Sequence, residues 1–258
     1  MNLFDLTGKV AVITGASSGL GAAAAKAYAE YGADVALLAR RKDKLEALAS
    51  EIEKTWGHKA IAVACDVSVE ESVKTAVNEV ITQFGKIDII LNDAGVAVTG
   101  TVEQLTEDEW DKEMNTNVKG IFLICKHIIP YMRKQKYGKI VNISSVNAII
   151  ADKLPELARH AYNTSKAAVR GLTMAMAASY GIDNITVNSI GPGLFESEMT
   201  ENTLFKNQAF LNMYDELTPF GRPGMKGELN GTIIYLSSAA SSYVTSQHII
   251  VDGGSSIV

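Results

Sequence analysis

Seven short apolar runs, rich in valine and isoleucine, recur along the chain, and longer stretches with helical spacing separate them. The runs read KVAVIT, DVALLA, AIAVAC, IDIILN, GKIVNIS, NITVNSI and QHIIVD. Continuously apolar strands are typical of a sheet covered on both faces, and strand–helix alternation indicates parallel pairing through right-handed crossovers. The pattern predicts an α/β fold with a doubly wound, seven-stranded parallel sheet. No repeat or linker interrupts it, so residues 1–258 are predicted to form a single domain.

The stretches between the strands predict helices. Residues 22–31 are nearly all small, and residues 43–55 carry an apolar stripe at helical spacing. Two longer helices are predicted at residues 105–135 and 161–181.

One long connection departs from this alternation of strands and helices. Residues 195–221 lie between the last two predicted strands and carry many large apolar side chains, among them Phe195, Phe205 and Phe210. Such side chains predict helices that lie over another part of the molecule. Two interpretations stay open, a helical substrate lid and an additional pair of packing helices.

Composition and charge narrow the function classes. The hydrophobic fraction of 47% and the charged fraction of 21% are ordinary for a soluble globular protein. A net charge of -5 and a pI near 5.5 argue against a nucleic-acid surface. No apolar run reaches the roughly 18 residues of a membrane span, and no signal peptide is visible. Cys65 and Cys125 form no metal-ligand pattern and are expected to act as small hydrophobic residues. We expect a cytoplasmic protein without metal, membrane or nucleic-acid partners.

The first predicted strand runs into TGASSGLG at residues 14–21 and then into an alanine-rich helix. Glycines allow a tight turn and close backbone approach, and free N–H groups at a helix start favour a pyrophosphate. Because the motif follows a strand and opens a helix, it predicts a Rossmann-type dinucleotide site. The spacing of Gly15, Gly19 and Gly21 differs from the general fingerprint, with three residues between the first two glycines.

The end of the second predicted strand indicates which dinucleotide binds. A carboxylate there would bond a ribose 2′-hydroxyl, whereas an arginine accommodates a 2′-phosphate. The chain has Arg40 and Arg41 at this point, and Asp34 lies at the opposite end of the strand. Because a guanidinium matches a phosphate bidentately, NADP(H) is predicted in preference to NAD(H). The alternative is that both arginines belong to a solvated helix start.

A tyrosine and a lysine are predicted to share one helical face. Tyr162 and Lys166 are four residues apart (166 − 162 = 4), which is about one helical turn. A phenol in water has a pKa near 10, and a nearby ammonium lowers the pKa of a phenol because it stabilises the phenolate. The interpretation of this pair as an acid–base site is strengthened by Ser144 and Ser145, at the end of a predicted buried strand, and by Asn117. In open parallel sheets, ligands bind beyond the carboxyl ends of the strands.

Together these motifs resemble the short-chain dehydrogenase/reductase family, over essentially the whole chain. The similarity is to its branch of 3-oxoacyl reductases and gluconate or glucose dehydrogenases. The motifs that carry it, in chain order, are TGASSGLG at 14–21, NDAG at 92–95, Asn117, ISS at 143–145, YNTSK at 162–166, GPG at 191–193 and VDGG at 251–254.

The resemblance implies roles for the catalytic residues. Tyr162 would exchange a proton with the reacting oxygen, and Lys166 would assist Tyr162 and hold the nicotinamide ribose. Ser145 rather than Ser144 would hydrogen-bond the reacting oxygen. Asn117 would position a water that links the lysine to solvent, or would only bridge helix and strand backbone.

The resemblance also implies the cofactor contacts. Asp66 would contact the adenine or only cap the next helix, and Ser197 would contact the nicotinamide carboxamide or only cap a helix. The residues predicted to bind the dinucleotide are Gly15, Ser17, Ser18, Gly19, Leu20, Gly21, Arg40, Arg41, Asp66, Val67, Asn92, Ala94, Gly95, Tyr162, Lys166, Pro192, Gly193 and Ser197.

The chain departs from the family pattern at several places, one of them a conservative change to Ser197 from a usual threonine. Asp93 stands where a second asparagine is usual, and an ionised carboxylate accepts hydrogen bonds but cannot donate one. Ser246 replaces a common glycine. Ser145 and Tyr162 are separated by 17 positions (162 − 145 = 17) instead of about a dozen, which implies a charged insertion within residues 146–161. Arg159 or His160 is predicted to bind a polar or anionic substrate group; a solvated loop is the alternative.

These observations predict an NADP(H)-dependent oxidoreductase that acts on a carbonyl or secondary alcohol. A 3-oxoacyl thioester, a ketose or keto sugar acid and a small ketone all remain open as substrates. The alternative is a catalytically silent NADP(H)-binding regulatory protein of the same fold. The resemblance also implies a homotetramer.

Overall fold

The seven apolar runs form one parallel sheet in the computed structural model, which describes residues 2–201 and 204–258. Within those residues the strands are β1 (Val10–Thr14), β2 (Asp34–Ala39), β3 (Ala60–Ala64), β4 (Ile89–Asn92), β5 (Gly138–Ile143), β6 (Ile185–Pro192) and β7 (His248–Val251). Their order is β3-β2-β1-β4-β5-β6-β7, and every neighbouring pair is parallel. The predicted α/β fold is therefore confirmed.

Helices connect the strands on both faces of the sheet. They are α1 (Gly19–Glu30), α2 (Lys42–Trp56), α3 (Glu70–Phe84), α4 (Glu107–Met114), α5 (Gly120–Gln135), α6 (His160–Tyr180), α7 (Glu198–Glu201), α8 (Gln208–Leu217) and α9 (Asn230–Ser237). The long helix predicted at 105–135 is divided between α4 and α5 by a π-helical segment, Asn115–Lys119. None of the helices in the described residues is both long enough and apolar enough to cross a membrane.

The core lies in two layers, one on each face of the sheet. Ala11 and Ile13 of β1 pack into one layer and Val12 into the other, as the twofold periodicity of a strand requires. Helices α1, α2 and α9 contribute to the first layer, and α3, α5 and α6 contribute to the second. Burial on both faces explains why the runs are apolar throughout rather than alternating.

The strand order changes direction between β1 and β4, and this positions the site. From β1 the chain moves outward to β2 and β3, then returns to place β4 on the other side of β1. Such a switch point leaves a crevice at the carboxyl ends of the strands, where open α/β sheets bind ligands. The loops after β1, β4 and β5 all begin at this edge.

The connection 195–221 is helical where it is described. It contains α7, a short turn at Leu204–Lys206, and α8, whose Phe210 and Tyr214 rings lie 6.2 Å apart. Residues 202 and 203 of the predicted lid lie outside the described part of the chain. Helical structure therefore agrees with both interpretations of this connection, and its role as a lid stays a prediction.

Candidate active site

The loop between β1 and α1 has a geometry that fits a dinucleotide pyrophosphate. Gly15 has a φ of 72°, and a Cβ added there would lie 2.9 Å from the backbone nitrogen of Ala94. A Cβ on Gly21 would lie 2.7 Å from Asp93 Oδ2. Ser18, which precedes α1, makes no side-chain capping hydrogen bond, and the first turn carries no acid. The uncapped N-terminus of α1 therefore suits an anionic group.

The carboxylate of Asp93 fits its position because the neighbouring N–H of Gly21 requires a hydrogen-bond acceptor. Its carboxylate accepts the N–H of Gly21, and Thr14 Oγ1 accepts the backbone N–H groups of Asp93 and Ala94 at 3.0 and 3.1 Å. Burial raises the pKa of the Asp93 carboxyl to about 6, against the opposing effects of the Lys166 charge and the Gly21 hydrogen bond. The carboxylate thus joins the loop after β4 to the start of α1.

Arg41 reaches the phosphate loop from the end of β2. Its Nη2 lies 2.9 Å from Ser17 Oγ and 3.1 Å from Ser18 Oγ. The same guanidinium forms an ion pair with Glu198 of α7, a partner that sequence reasoning missed. Arg40 is exposed; the hydrogen bond from Ser68 lowers the pKa of Asp66, and the Arg40 charge adds a smaller effect in the same direction.

The other residues predicted to line the adenosine side of the cofactor, Asp66, Val67 and Asn92, each have different surroundings. Asp66 accepts the backbone N–H and the hydroxyl of Ser68, at 3.0 and 2.6 Å, and these bonds form the turn that leads into α3. Val67 is buried beside Gly120. Asn92 is also buried, and its Nδ2 donates to Asn142 Oδ1 at 2.8 Å. The Asn92 side chain therefore pairs across β4 and β5.

The predicted nicotinamide side lies beyond β6. Pro192 ends that strand, and the Gly193 N–H donates to the carbonyl of Val251 at 2.9 Å. The Ser197 N–H donates to Thr200 Oγ1 at 3.0 Å, and the two hydroxyl oxygens lie 3.1 Å apart. Ser197 therefore lies in the turn that leads into α7, and both of its predicted roles stay predictions.

Tyr162 and Lys166 lie in the first two turns of α6. Lys166 is buried, with 5% of its surface exposed, and its Nζ donates to the carbonyl oxygen of Ile143 at 2.9 Å. The Nζ also lies 5.4 Å from the centroid of the Tyr162 ring. The carboxyl end of β5 therefore orients the ammonium next to the phenol.

The two serines after β5 have different partners. The Ser144 hydroxyl donates to the backbone carbonyl of Lys166 at 2.9 Å, and so joins β5 to α6. Ser145 Oγ accepts the N–H of Asn147 at 3.1 Å and donates its own proton to Asn147 Oδ1 at 3.3 Å. Ser144 therefore contacts the helix α6, whereas Ser145 bonds within its own turn, and the choice of Ser145 as the site serine stays a prediction.

Asn117 lies in the π-helical segment and its side chain bridges to the loop after β4. Its Nδ2 donates to the carbonyl of Val96 and its Oδ1 accepts the Val96 N–H, both at 2.9 Å; Nδ2 also donates to Ser165 Oγ at 3.0 Å. This is the bridging role that was left open for Asn117. A Cβ added to Gly95 would lie 3.2 Å from Asn117 Oδ1 and 3.7 Å from Lys166 Nζ, so these residues converge.

Glu113 is a buried acid that the sequence reading missed. It lies one turn before Asn117, has 0% exposure, and accepts the Val98 N–H at 3.4 Å through Oε1. Its Oε2 has no hydrogen-bond partner within the described residues. Burial raises the pKa of this carboxyl to about 7, although the Val98 hydrogen bond and the charges of Lys166, Arg159 and Lys112 lower it. Its spacing of four residues from Asn117 was the available signal.

The end of the insertion is attached to the segment after β4. The Gly100 N–H donates to the carbonyl of Ala158 at 2.8 Å, and the Val102 N–H donates to His160 Nδ1 at 3.0 Å. Arg159 immediately precedes α6, is half-buried, and is close enough to lower the pKa of Glu113. His160 Nδ1 is therefore engaged, and a substrate contact by Arg159 or His160 stays a prediction.

Comparisons with known proteins show the family to which the chain belongs. Residues 9–208 match the family model of the short chain dehydrogenases. Gluconate 5-dehydrogenase of Gluconobacter oxydans is 38% identical over 253 residues, which cover 98% of this chain and 96% of that protein. The 3-oxoacyl-(acyl-carrier-protein) reductase FabG of Thermotoga maritima is 37% identical over 250 residues, which cover 96% of this chain and 98% of that protein.

A solved structure is also similar along the whole chain. It is the crystal structure of a gluconate 5-dehydrogenase from Burkholderia cenocepacia in complex with NADP and tartrate. It is 34% identical with a TM-score of 0.94, and the match covers 100% of this chain and 98% of that one. The chain belongs to the short-chain dehydrogenase/reductase family and is an oxidoreductase of that family, as its sequence motifs predicted.

Proposed function

We propose that the chain is an NADP(H)-dependent oxidoreductase that acts on a carbonyl or secondary alcohol, with Tyr162 as the general acid and base. One observation carries this proposal. Tyr162 and a buried, oriented Lys166 lie on α6 at the carboxyl end of β5, where Ser145 also lies. Phenol, ammonium and hydroxyl are the groups needed to exchange a proton with a reacting oxygen.

The glycines of the β1–α1 loop and Arg41 would hold the dinucleotide, which supplies or accepts the hydride when bound. Tyr162 donates its proton to the carbonyl oxygen during reduction, and the Lys166 ammonium stabilises the negative charge that then remains on the phenol oxygen. The Ser145 hydroxyl donates to Asn147 Oδ1 at 3.3 Å, and it would redirect this hydrogen bond to the same reacting oxygen and so fix its position. Through its bonds to Val96, Asn117 holds the loop after β4 next to Lys166.

A hydroxy acid or its keto form is the substrate class that we favour. Arg159 precedes the catalytic helix and carries a charge that suits a carboxylate. One similar protein is named gluconate 5-dehydrogenase, and the solved structure of another holds tartrate, a hydroxy acid. A 3-oxoacyl thioester is the second candidate, because another relative is named as a reductase of that class.

To test the proposal, the purified protein is incubated with NADPH or NADH and with each member of a panel of keto sugar acids, 3-oxoacyl thioesters and small ketones. Oxidation of the reduced cofactor is followed by absorbance. We expect turnover with NADPH, most efficiently with a keto sugar acid. Tyr162→Phe is expected to lower kcat at least about a hundredfold, the usual scale for loss of a general acid. Tyr180→Phe, at the other end of α6, is the matched control and is expected to retain activity.

The outcomes separate the parts of the proposal. A clear preference for NADH contradicts the assigned cofactor, and a Tyr162→Phe variant with full activity contradicts the assigned acid. NADPH binding without turnover across the panel favours the catalytically silent alternative. The homotetramer stays a prediction from the family resemblance, to be measured by light scattering.

A further inference from the structure

The carboxylate of Glu198, at the start of α7, is held by cations and a hydroxyl from the proposed cofactor site. Arg41 Nη1 lies 2.6 Å from Oε1 and Arg41 Nη2 lies 2.5 Å from Oε2, so the guanidinium binds both oxygens. Lys44 Nζ lies 3.2 Å from Oε1, and the Ser18 hydroxyl also bonds the carboxylate. Arg41 holds the pKa of this carboxyl well below its usual range.

These donors are the ones that recognise a phosphate. A guanidinium presents two parallel N–H groups that match carboxylate and phosphate oxygens equally, and an ammonium adds a second positive charge. Arg41 and Lys44 lie just beyond the end of β2, where a dinucleotide 2′-phosphate is predicted to bind. The Glu198 carboxylate therefore takes up the donors that a 2′-phosphate would require.

The same contact brings the start of α7 over the phosphate loop. A Cβ added to Gly19, the first residue of α1, would lie 3.4 Å from Ser197 Cβ and 3.9 Å from the Glu198 backbone nitrogen. On the other side, Phe195 is buried and pairs with Gly224. The Arg41–Glu198 ion pair thus joins the start of α7 to the loop that is predicted to receive the pyrophosphate.

We infer that Glu198 is a specificity-determining residue for the dinucleotide, because its carboxylate competes with the 2′-phosphate of NADP(H) for Arg41 and Lys44. The inference rests on the proposed NADP(H) dependence. An internal competitor lowers the apparent affinity for the external anion according to the fraction of molecules in which Arg41 is engaged. It does not lower the affinity for a nucleotide without the 2′-phosphate. Binding of the phosphate would also release the start of α7 from the phosphate loop.

The test measures calorimetric binding of adenosine 2′,5′-bisphosphate and of 5′-AMP, which differ only in the 2′-phosphate, to the full chain. Glu198→Gln removes the charge and preserves the size of the side chain. We expect it to tighten bisphosphate binding about fivefold, the upper end of what an exposed ion pair contributes. Affinity for 5′-AMP is expected to change less than about twofold, because 5′-AMP does not compete for Arg41.

Two further variants make the comparison specific. Glu201→Gln makes the same change in charge on the same helix and is expected to leave both affinities unaltered. In an Arg41→Ala background, Glu198→Gln is expected to lose most of its effect, because a double-mutant cycle reports the coupling of the two side chains.

The inference and the proposed function fail in different ways. If the wild-type chain prefers the bisphosphate and Glu198→Gln leaves that preference unchanged, the inference alone is overturned. If neither the wild type nor Glu198→Gln distinguishes the bisphosphate from 5′-AMP, the NADP(H) assignment is overturned, and the inference with it. If Glu198→Gln weakens 5′-AMP binding instead, Glu198 is a ligand of the ribose hydroxyls and not a competitor.

Discussion

Replacing the buried acid Glu113 by glutamine should change how the stability of the protein depends on pH. The ordinary pKa of this carboxyl is 4.5, and burial raises it to about 7 in the folded chain. Between these values the folded state binds a proton that the unfolded state has released. The contribution of Glu113 to the unfolding free energy is therefore fully present below about pH 4.5, and it is lost as the pH rises towards about pH 7.

The size of the effect follows from the two pKa values. Linkage gives a loss of about 2.5 kcal/mol of unfolding free energy between about pH 5 and about pH 8 from this one group. Glu113→Gln cannot titrate, so it lacks this part of the pH dependence. Burying the amide has its own cost, of about 1–3 kcal/mol, but that cost is the same at both pH values and cancels in the comparison. Lys166, Arg159 and Lys112 are the charged groups that act on Glu113, and all three remain in the variant.

The assay is equilibrium unfolding in urea at these two pH values, at fixed protein concentration. The wild-type chain should lose about 2.5 kcal/mol more stability than Glu113→Gln when the pH is raised. Glu107→Gln is the matched control, because it removes an exposed carboxylate from the same helix, α4. It should preserve the wild-type difference. If the wild type and Glu113→Gln show equal pH dependence, Glu113 does not titrate as its burial requires and the reasoning is refuted.

Two further predictions concern departures from the family pattern. Ser246 has a φ of 64°, in the left-handed region; Ser246→Gly should raise the unfolding free energy by roughly 0.5–1 kcal/mol, because relief of backbone strain exceeds the entropy lost by glycine. A urea midpoint that does not rise would contradict this. Arg159→Ala should raise KM for carboxylate substrates about tenfold and leave KM for a neutral ketone unchanged, on the usual scale of one charged hydrogen bond. Lys153→Ala, in the same insertion, is the control, and equal KM changes for both substrates would remove Arg159 from substrate recognition.

The parts of the molecule that the sequence predicted are those governed by local periodicity. Strand runs such as KVAVIT and DVALLA are buried on both faces, so most of their positions are apolar and the pattern could be recognised in the sequence. The proximity of Tyr162 and Lys166 follows from helical spacing alone. The parallel sheet then brought Ser145 to the same edge, as strand–helix alternation required.

The features that the sequence did not predict depend on contacts between distant residues. Arg41 and Glu198 are 157 positions apart, and nothing in either local sequence indicates the other. Glu113 belongs to a run of charged residues that resembles a solvated helix face, but the loop after β4 contacts its carboxylate. The π-helical segment that carries Asn117 continues an apparently regular helix, because an extra residue per turn leaves no local compositional signal.

Lys166 is held at both of its ends by consecutive residues of one strand terminus. Its backbone carbonyl accepts the Ser144 hydroxyl, and its ammonium donates to the Ile143 carbonyl. Part of the register between β5 and the catalytic helix is therefore set by residues outside the stretch 146–161. We expect only its exposed part, residues 149–153, to change in length and composition without displacing Tyr162 from Ser145. Exchanging these exposed residues with those of a relative should transfer substrate preference while the proton-transfer chemistry stays constant.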